Sequence, residues 1–204
     1  MPEIKGQIGY FGLTDWWLLE FTQAERDYIE SVYCPMGPGE ESPEKPLTQG
    51  EIIESSGSIL QLLVGLSSWF RKPDDRPIAH RILAKAEELI ARSDIIQVHF
   101  LFSSMGETYY KDRSDPESLA KAIATYEQQV AIAPKVAAAM KRQYPKSVRF
   151  VMPAHQGFKQ LAIIREKEKD FQGAIGFCQT ALKQGWDGDW SKRIERCKKK
   201  LQKQ

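Results

Sequence analysis

Cysteine and histidine are both scarce, three of each in 204 residues, and their scarcity excludes several kinds of chemistry. Cys34, Cys178 and Cys197 are odd in number and widely separated. Neither a disulfide framework nor a paired-cysteine metal site is therefore expected, and Cys178, set in an apolar stripe, reads as a buried inert thiol. His80, His99 and His155 fit no HExxH-type spacing and read as structural or surface side chains. No GxxxxGK[ST] phosphate loop or GxGxxG fingerprint occurs, and no nucleophile–base pair is visible. The expectation is a non-enzyme with no catalytic residue, no cofactor and no metal. Long apolar runs are missing too. The longest candidate, SILQLLVGLSSWF, is interrupted by glycine and serines and falls short of the roughly 18 residues of a membrane span. MPEIKGQIGYFG at the start carries neither a basic leader nor an apolar signal core. These features predict a soluble, cytoplasmic protein without membrane contact.

What is present suffices for a packed core: hydrophobic residues make up 42% of the chain, enough for one large domain or two small ones. The net charge of +2 conceals a gradient. Residues 1–60 carry 3 basic and 11 acidic side chains, residues 61–134 carry 9 and 10, and residues 135–204 carry 17 and 6. Ends of opposite sign could steer a charged partner or a neighbouring copy in a homo-oligomer; the alternative is a set of solvated helix faces.

Nearly all of the chain reads as helix. The T-x-x-E and S-x-x-E patterns at Thr22–Glu25, Thr48–Glu51 and Ser114–Glu117 are capping boxes and predict helix starts near residues 23, 49 and 115. Pro77 suits the first turn of a helix over about 77–92. Ser93 or Asp94 caps a helix over 95–112, and Asp170 one over 171–184 that Gly185 closes in the left-handed conformation. Asp189 caps a last helix with Trp190, Ile194, Cys197 and Leu201 on one face. CPMGPGEESPEKPL, with its prolines and glycines, is a loop, and KSVRFVM is an irregular connector. About nine helices follow.

A repeat runs through this helical string. Phe158, Leu161, Ala162 and Arg165, followed by Ala174, Cys178 and Ala181, share their spacing with Leu63, Leu66, Ser67 and Phe70, followed by Ala79, Leu83 and Ala86. Phe102, Met105, Gly106 and Tyr109, followed by Ala122, Tyr126 and Gln129, form a third copy once four residues are inserted at KDRSDPES, and Pro134 closes it. This pattern resembles the tetratricopeptide repeat, with its Leu-Gly and Tyr on a first helix and Ala, Phe, Ala and Pro on a second. The middle copy matches best, through Met105, Gly106, Tyr109, Ala122, Tyr126 and Pro134. In the last copy Arg165 stands in place of the aromatic and Trp186 in place of the proline. Eighteen extra residues precede that copy, and PKVAAAMKRQYP within them extends or kinks the middle copy's second helix. The resemblance spans residues 60–186, with 190–203 as the capping helix that such arrays need. The expected fold is all-α: a short, irregular solenoid of three such hairpins, with aromatic helices and the Pro/Gly loop over residues 1–48 and the repeat domain over 49–204.

In that family the first helices line a concave groove for a peptide or partner helix. Carried over, the resemblance implies groove residues Val64, Ser68 and Arg71 in the first copy, and Phe100, Ser103, Glu107 and Tyr110 in the middle one. In the last copy they are Gln156, Lys159, Ile163 and Glu166, with Lys167 adding a cation. Ile163 one turn after Lys159 departs from the Lys/Asn pair of the carboxylate-clamp variant. The expected role is a scaffold or adaptor module binding an acidic, amphipathic protein segment. The second expectation is a nucleic-acid-associated factor, through SKRIERCKKKLQKQ with seven basic residues and one acid. The aromatic stretch IGYFGLTDWWLLEF covers an open end of the core, and WDGDW is a turn whose tryptophans pack inward.

Overall fold

The computed structural model describes residues 4–35, 45–143 and 150–203. Residues 36–44 of the Pro/Gly stretch, 144–145 at the end of PKVAAAMKRQYP and 146–149 of KSVRFVM lie outside that range, so the expectations placed on them do too. The described residues form ten α-helices and two 3-10 turns, with no strand and a single isolated bridge between Ala154 and Asp187. None of those helices is long and apolar enough to cross a membrane. Contacts divide the chain into two units, Met1–Leu89 and Ile90–Gln204. The division expected after residue 48 falls inside the first.

In the first unit, α1 (Gly6–Tyr10), α2 (Thr14–Glu20) and α3 (Gln23–Val32) precede α4 (Ile59–Ser67) and α5 (Arg76–Glu87). The Thr22–Glu25 capping box forms with both of its hydrogen bonds. Thr48 does not start a helix: residues 45–50 form a turn. The turn has another task, because a helix start leaves its first amides without internal acceptors. The N–H groups of Gly6, Gln7 and Ile8 are taken up by the carbonyls of Gly50, Pro46 and Leu47. Gly6 makes this approach feasible, with φ +54° and no room for a Cβ, which would lie 2.7 Å from the Pro46 carbonyl oxygen. Ile8, Trp17, Phe21, Ile29, Leu47, Leu63, Leu66 and Phe70 are all buried in this unit. Arg81 of α5 donates to the Glu20 carbonyl and the Glu25 carboxylate, with its guanidinium 4.6 Å from the Phe21 ring centre.

In the second unit, α6 (Ile95–Lys111), α7 (Pro116–Gln143), α8 (Gln156–Lys167), α9 (Phe171–Gln184) and α10 (Trp190–Leu201) each pack against the next. Asp94 caps α6 and Asp170 caps α9, while Gly185 follows α9 at φ +86° as anticipated. Asp115, not Ser114, receives the amide of Ser118 at the start of α7. That helix runs on through Pro134, whose ring is exposed, because Ala133, Val136, Ala137 and Met140 continue the buried stripe beyond it. Of the repeated positions in both units, only Tyr109, Arg165 and the closing Pro134 are not buried. Small residues decide how closely the helices meet. At Gly106 a Cβ would run into the Tyr126 ring on the facing helix. On α10, Trp190 and Cys197 are buried as expected, Ile194 half-buried and Leu201 exposed, and Asp189 makes no capping bond.

Candidate functional site

The second unit brings together residues that spacing alone kept apart. Helical periodicity turns His99 into the core and its neighbour Phe100 outward. The His99 ring stacks on Trp186, centres 5.3 Å apart, and stands 4.9 Å from the ring of His155, which meets the same indole edge to face at 4.6 Å. Gln129 ties three segments together: its amide nitrogen donates to the His99 carbonyl at 3.0 Å, and its oxygen accepts the Gly157 amide at 2.7 Å. His155 caps α8, with Nδ1 accepting the Phe158 amide at 3.2 Å. The proton of the neutral ring therefore sits on Nε2, a buried atom with no hydrogen-bond partner. The two rings are 1% and 0% exposed. Burial pushes His99 down to about 4; burial and then the neighbouring His99 push His155 down to about 3. Both are neutral near pH 7, and two histidines that lie far apart in the sequence meet in one buried node.

Outward from this node, Ile96 and Phe100 of α6, Met140 and Gln143 of α7, and Phe150, Val151 and Pro153 line a hollow of about 400 Å³. Phe100 is 46% exposed and Val151 65% exposed, although both are large apolar side chains. Sequence reasoning placed Phe100 on a groove but missed the other six: Phe150, Val151 and Pro153 lie in a segment with no helical period, and Ile96, Met140 and Gln143 come to the hollow only through the packing of α6 with α7.

The remaining groove candidates of this unit divide. Lys159 and Lys167 are exposed, and Ser103, Glu107, Gln156 and Ile163 are partly covered. Tyr110 lies under the Arg113 guanidinium, 5.0 Å from its centre. Glu166 is engaged within the chain and does not face open space. Its carboxylate accepts from Arg193 at 3.1 Å, from Arg196 at 2.9 and 2.7 Å, and from Lys200 at 2.8 Å, and its side chain is 11% exposed. Arg196 and Lys200 outweigh the cost of burial and hold Glu166 down to about 2. The i, i+3/i+4 spacing of these three cations was legible on α10, but not the acid that they share.

In the first unit, Val64 is half-buried and Ser68 exposed, its hydroxyl donating to the Gly65 carbonyl; the Arg71 guanidinium donates to the Ser68 carbonyl. That unit has its own hollow of about 500 Å³, lined by Trp17, Arg26, Asp27, Glu30 and Lys45 among others. Glu30 accepts the Thr48 hydroxyl there, which anchors the 45–50 turn, and burial raises its pKa. Among the described residues no group of three or more potential metal ligands gathers. No protein-family model, curated protein or solved structure matches this chain.

Proposed function

We propose that the protein is a non-enzymatic interaction module of the cytoplasm. In this reading α4/α5, α6/α7 and α8/α9 are three tetratricopeptide-like hairpins in succession, with α10 as the cap. The hollow at Phe100 receives an apolar side chain from a partner protein segment. The observation that carries this reading is the exposure of Phe100 and Val151 around an apolar concavity, since such surface is costly to leave in water unless something covers it. The exposed ammonium groups of Lys159 and Lys167 on α8 favour a segment that bears acidic residues. Interface energy concentrates in buried aromatic and apolar anchors. Phe100→Asp should therefore leave the melting temperature within a degree or two of the wild type, because the ring is half in solvent. A photo-crosslinker at Val151 identifies the partner segment in native cells. Binding of that segment by Phe100→Asp should fall at least tenfold by fluorescence anisotropy. Undiminished binding by the folded variant removes the hollow from consideration.

A further inference from the structure

The terminal helix presents a second surface, independent of the hollow at Phe100. At 100° per residue, Lys192, Arg196, Lys199 and Lys200 fall within about a third of the helix circumference, and Lys203, in the turn just after α10, borders the same hollow. They form a ribbon of positive charge roughly 16 Å long. The only acid on the helix, Glu195, lies at the ribbon's edge. Lys192, Lys199 and Lys203 are exposed and pair with no acid among the described residues. The opposite side of the helix is fixed: Cys197 packs with Phe171, Ala174 and Ile175, and Trp190 belongs to the main core of the unit. Glu166 grips Arg193, Arg196 and Lys200 from α8, so the ribbon is held facing outward before any ligand arrives.

We infer that this face of α10 binds the phosphate backbone of a nucleic acid. Three observations favour that polyanion. The ribbon contains no exposed apolar or aromatic anchor of the kind that supplies protein–protein interface energy, whereas phosphate neutralisation and counterion release need charge alone. Trp190, Ile194 and Cys197 on the apolar side of α10 pack against its own unit and leave only Leu201 exposed, too little apolar surface for the helix to lie in a bilayer interface as amphipathic membrane helices do. The cations repeat at i, i+4, i+7 and i+11 along one line, which suits a linear array of charges better than a single anion. Glu166 competes with the polyanion for Arg196 and Lys200. Its neutralisation frees two donors for phosphate.

The test uses the full chain and a short fluorescein-labelled DNA duplex of mixed sequence, with the matching single strand beside it. Four to five phosphate contacts imply that affinity falls by roughly 150- to 500-fold between about 50 and 200 mM salt. Lys192→Glu, Lys199→Glu and Lys203→Glu together should weaken binding at least tenfold and flatten that slope, with unchanged melting because all three side chains are exposed. A control reversal at exposed Lys72, on the first unit, should change nothing. Glu166→Gln should tighten binding several-fold where α10 stays docked by circular dichroism. Where it undocks, the triple variant decides. Absence of DNA binding at low salt, or full binding by the triple variant, overturns the proposal. Equal or tighter binding of polyglutamate, or of phosphatidylserine vesicles, overturns it in favour of an acidic protein or a membrane surface.

Discussion

His155 shows how much a single side chain can couple. Its Nδ1 must stay unprotonated to accept the Phe158 amide, so protonation at that atom removes the cap of α8 as well as burying a charge beside His99. Both folded-state values, about 4 and about 3, lie below the ordinary histidine value near 6.5. The unfolded chain therefore binds more protons between those limits, and stability is complete above about pH 6.5 and declines as the pH falls. By about pH 5 each histidine should have cost about 2 kcal/mol. The carboxylates add their own loss only lower, as Glu166 and Glu25 protonate between their ordinary value and about 2. Melting temperature followed from pH 7.5 to pH 5 in urea-free buffer should drop steadily (an ordinary working range for such scans, roughly one to two units either side of the histidine value). His155→Asn keeps a capping oxygen but cannot titrate, so its decline should be shallower. An identical slope in that variant means that His155 is already solvated. At this scale the sequence was partly readable: the absence of metal-ligand spacing among the histidines was legible, but the meeting of His99 and His155 at Trp186 was not, since 56 positions separate them in the sequence.

At the scale of elements, small residues carry the argument. Ala162 and Ala181 are fully buried beside Cys178 in the main core of the second unit, and Ala174 is fully buried with Cys197 of α10. Ala174→Arg puts a long cation with no partner where a methyl group now fits. It should destabilise the protein by about 3 kcal/mol or more, read as the shift of a denaturant midpoint. A shift below about 0.5 kcal/mol would place Ala174 at the surface and break the register of the repeat. Capping chemistry was legible wherever the side chain had only its own helix to serve: Thr22, Asp94 and Asp170 cap as their spacing predicts. Thr48 has the same local pattern and starts no helix. It is instead bonded to Glu30, and its turn supplies carbonyls to α1. A local signal lost to a tertiary contact there, because the amides of α1 had no other acceptor.

For the molecule as a whole, α10 is the element whose removal tells most. It covers Phe171, Ala174 and Ile175 and contributes Trp190 to the main core of the second unit. A chain ending at residue 187 should lose that cover and leave Glu166 without its three cations. It should melt several degrees lower and aggregate on size-exclusion chromatography. A soluble monomer with wild-type melting makes α10 an appendage, and its basic ribbon then stands apart from the fold.

The sequence by itself determined the helical class, most helix boundaries and most of the inward positions on the repeated helices. These follow from side-chain period and capping, which act over a few residues and leave a mark at each position. Tertiary structure alone decided which faces meet. It set the His99–Gln129–His155–Trp186 node, the sharing of Glu166 by three cations and the apolar hollow around Phe100 and Val151. Each of these joins residues far apart in the chain, and side-chain period carries no information about such pairings. It fixes the direction in which a residue points along its own helix, while the partner waiting there depends on how the helices pack.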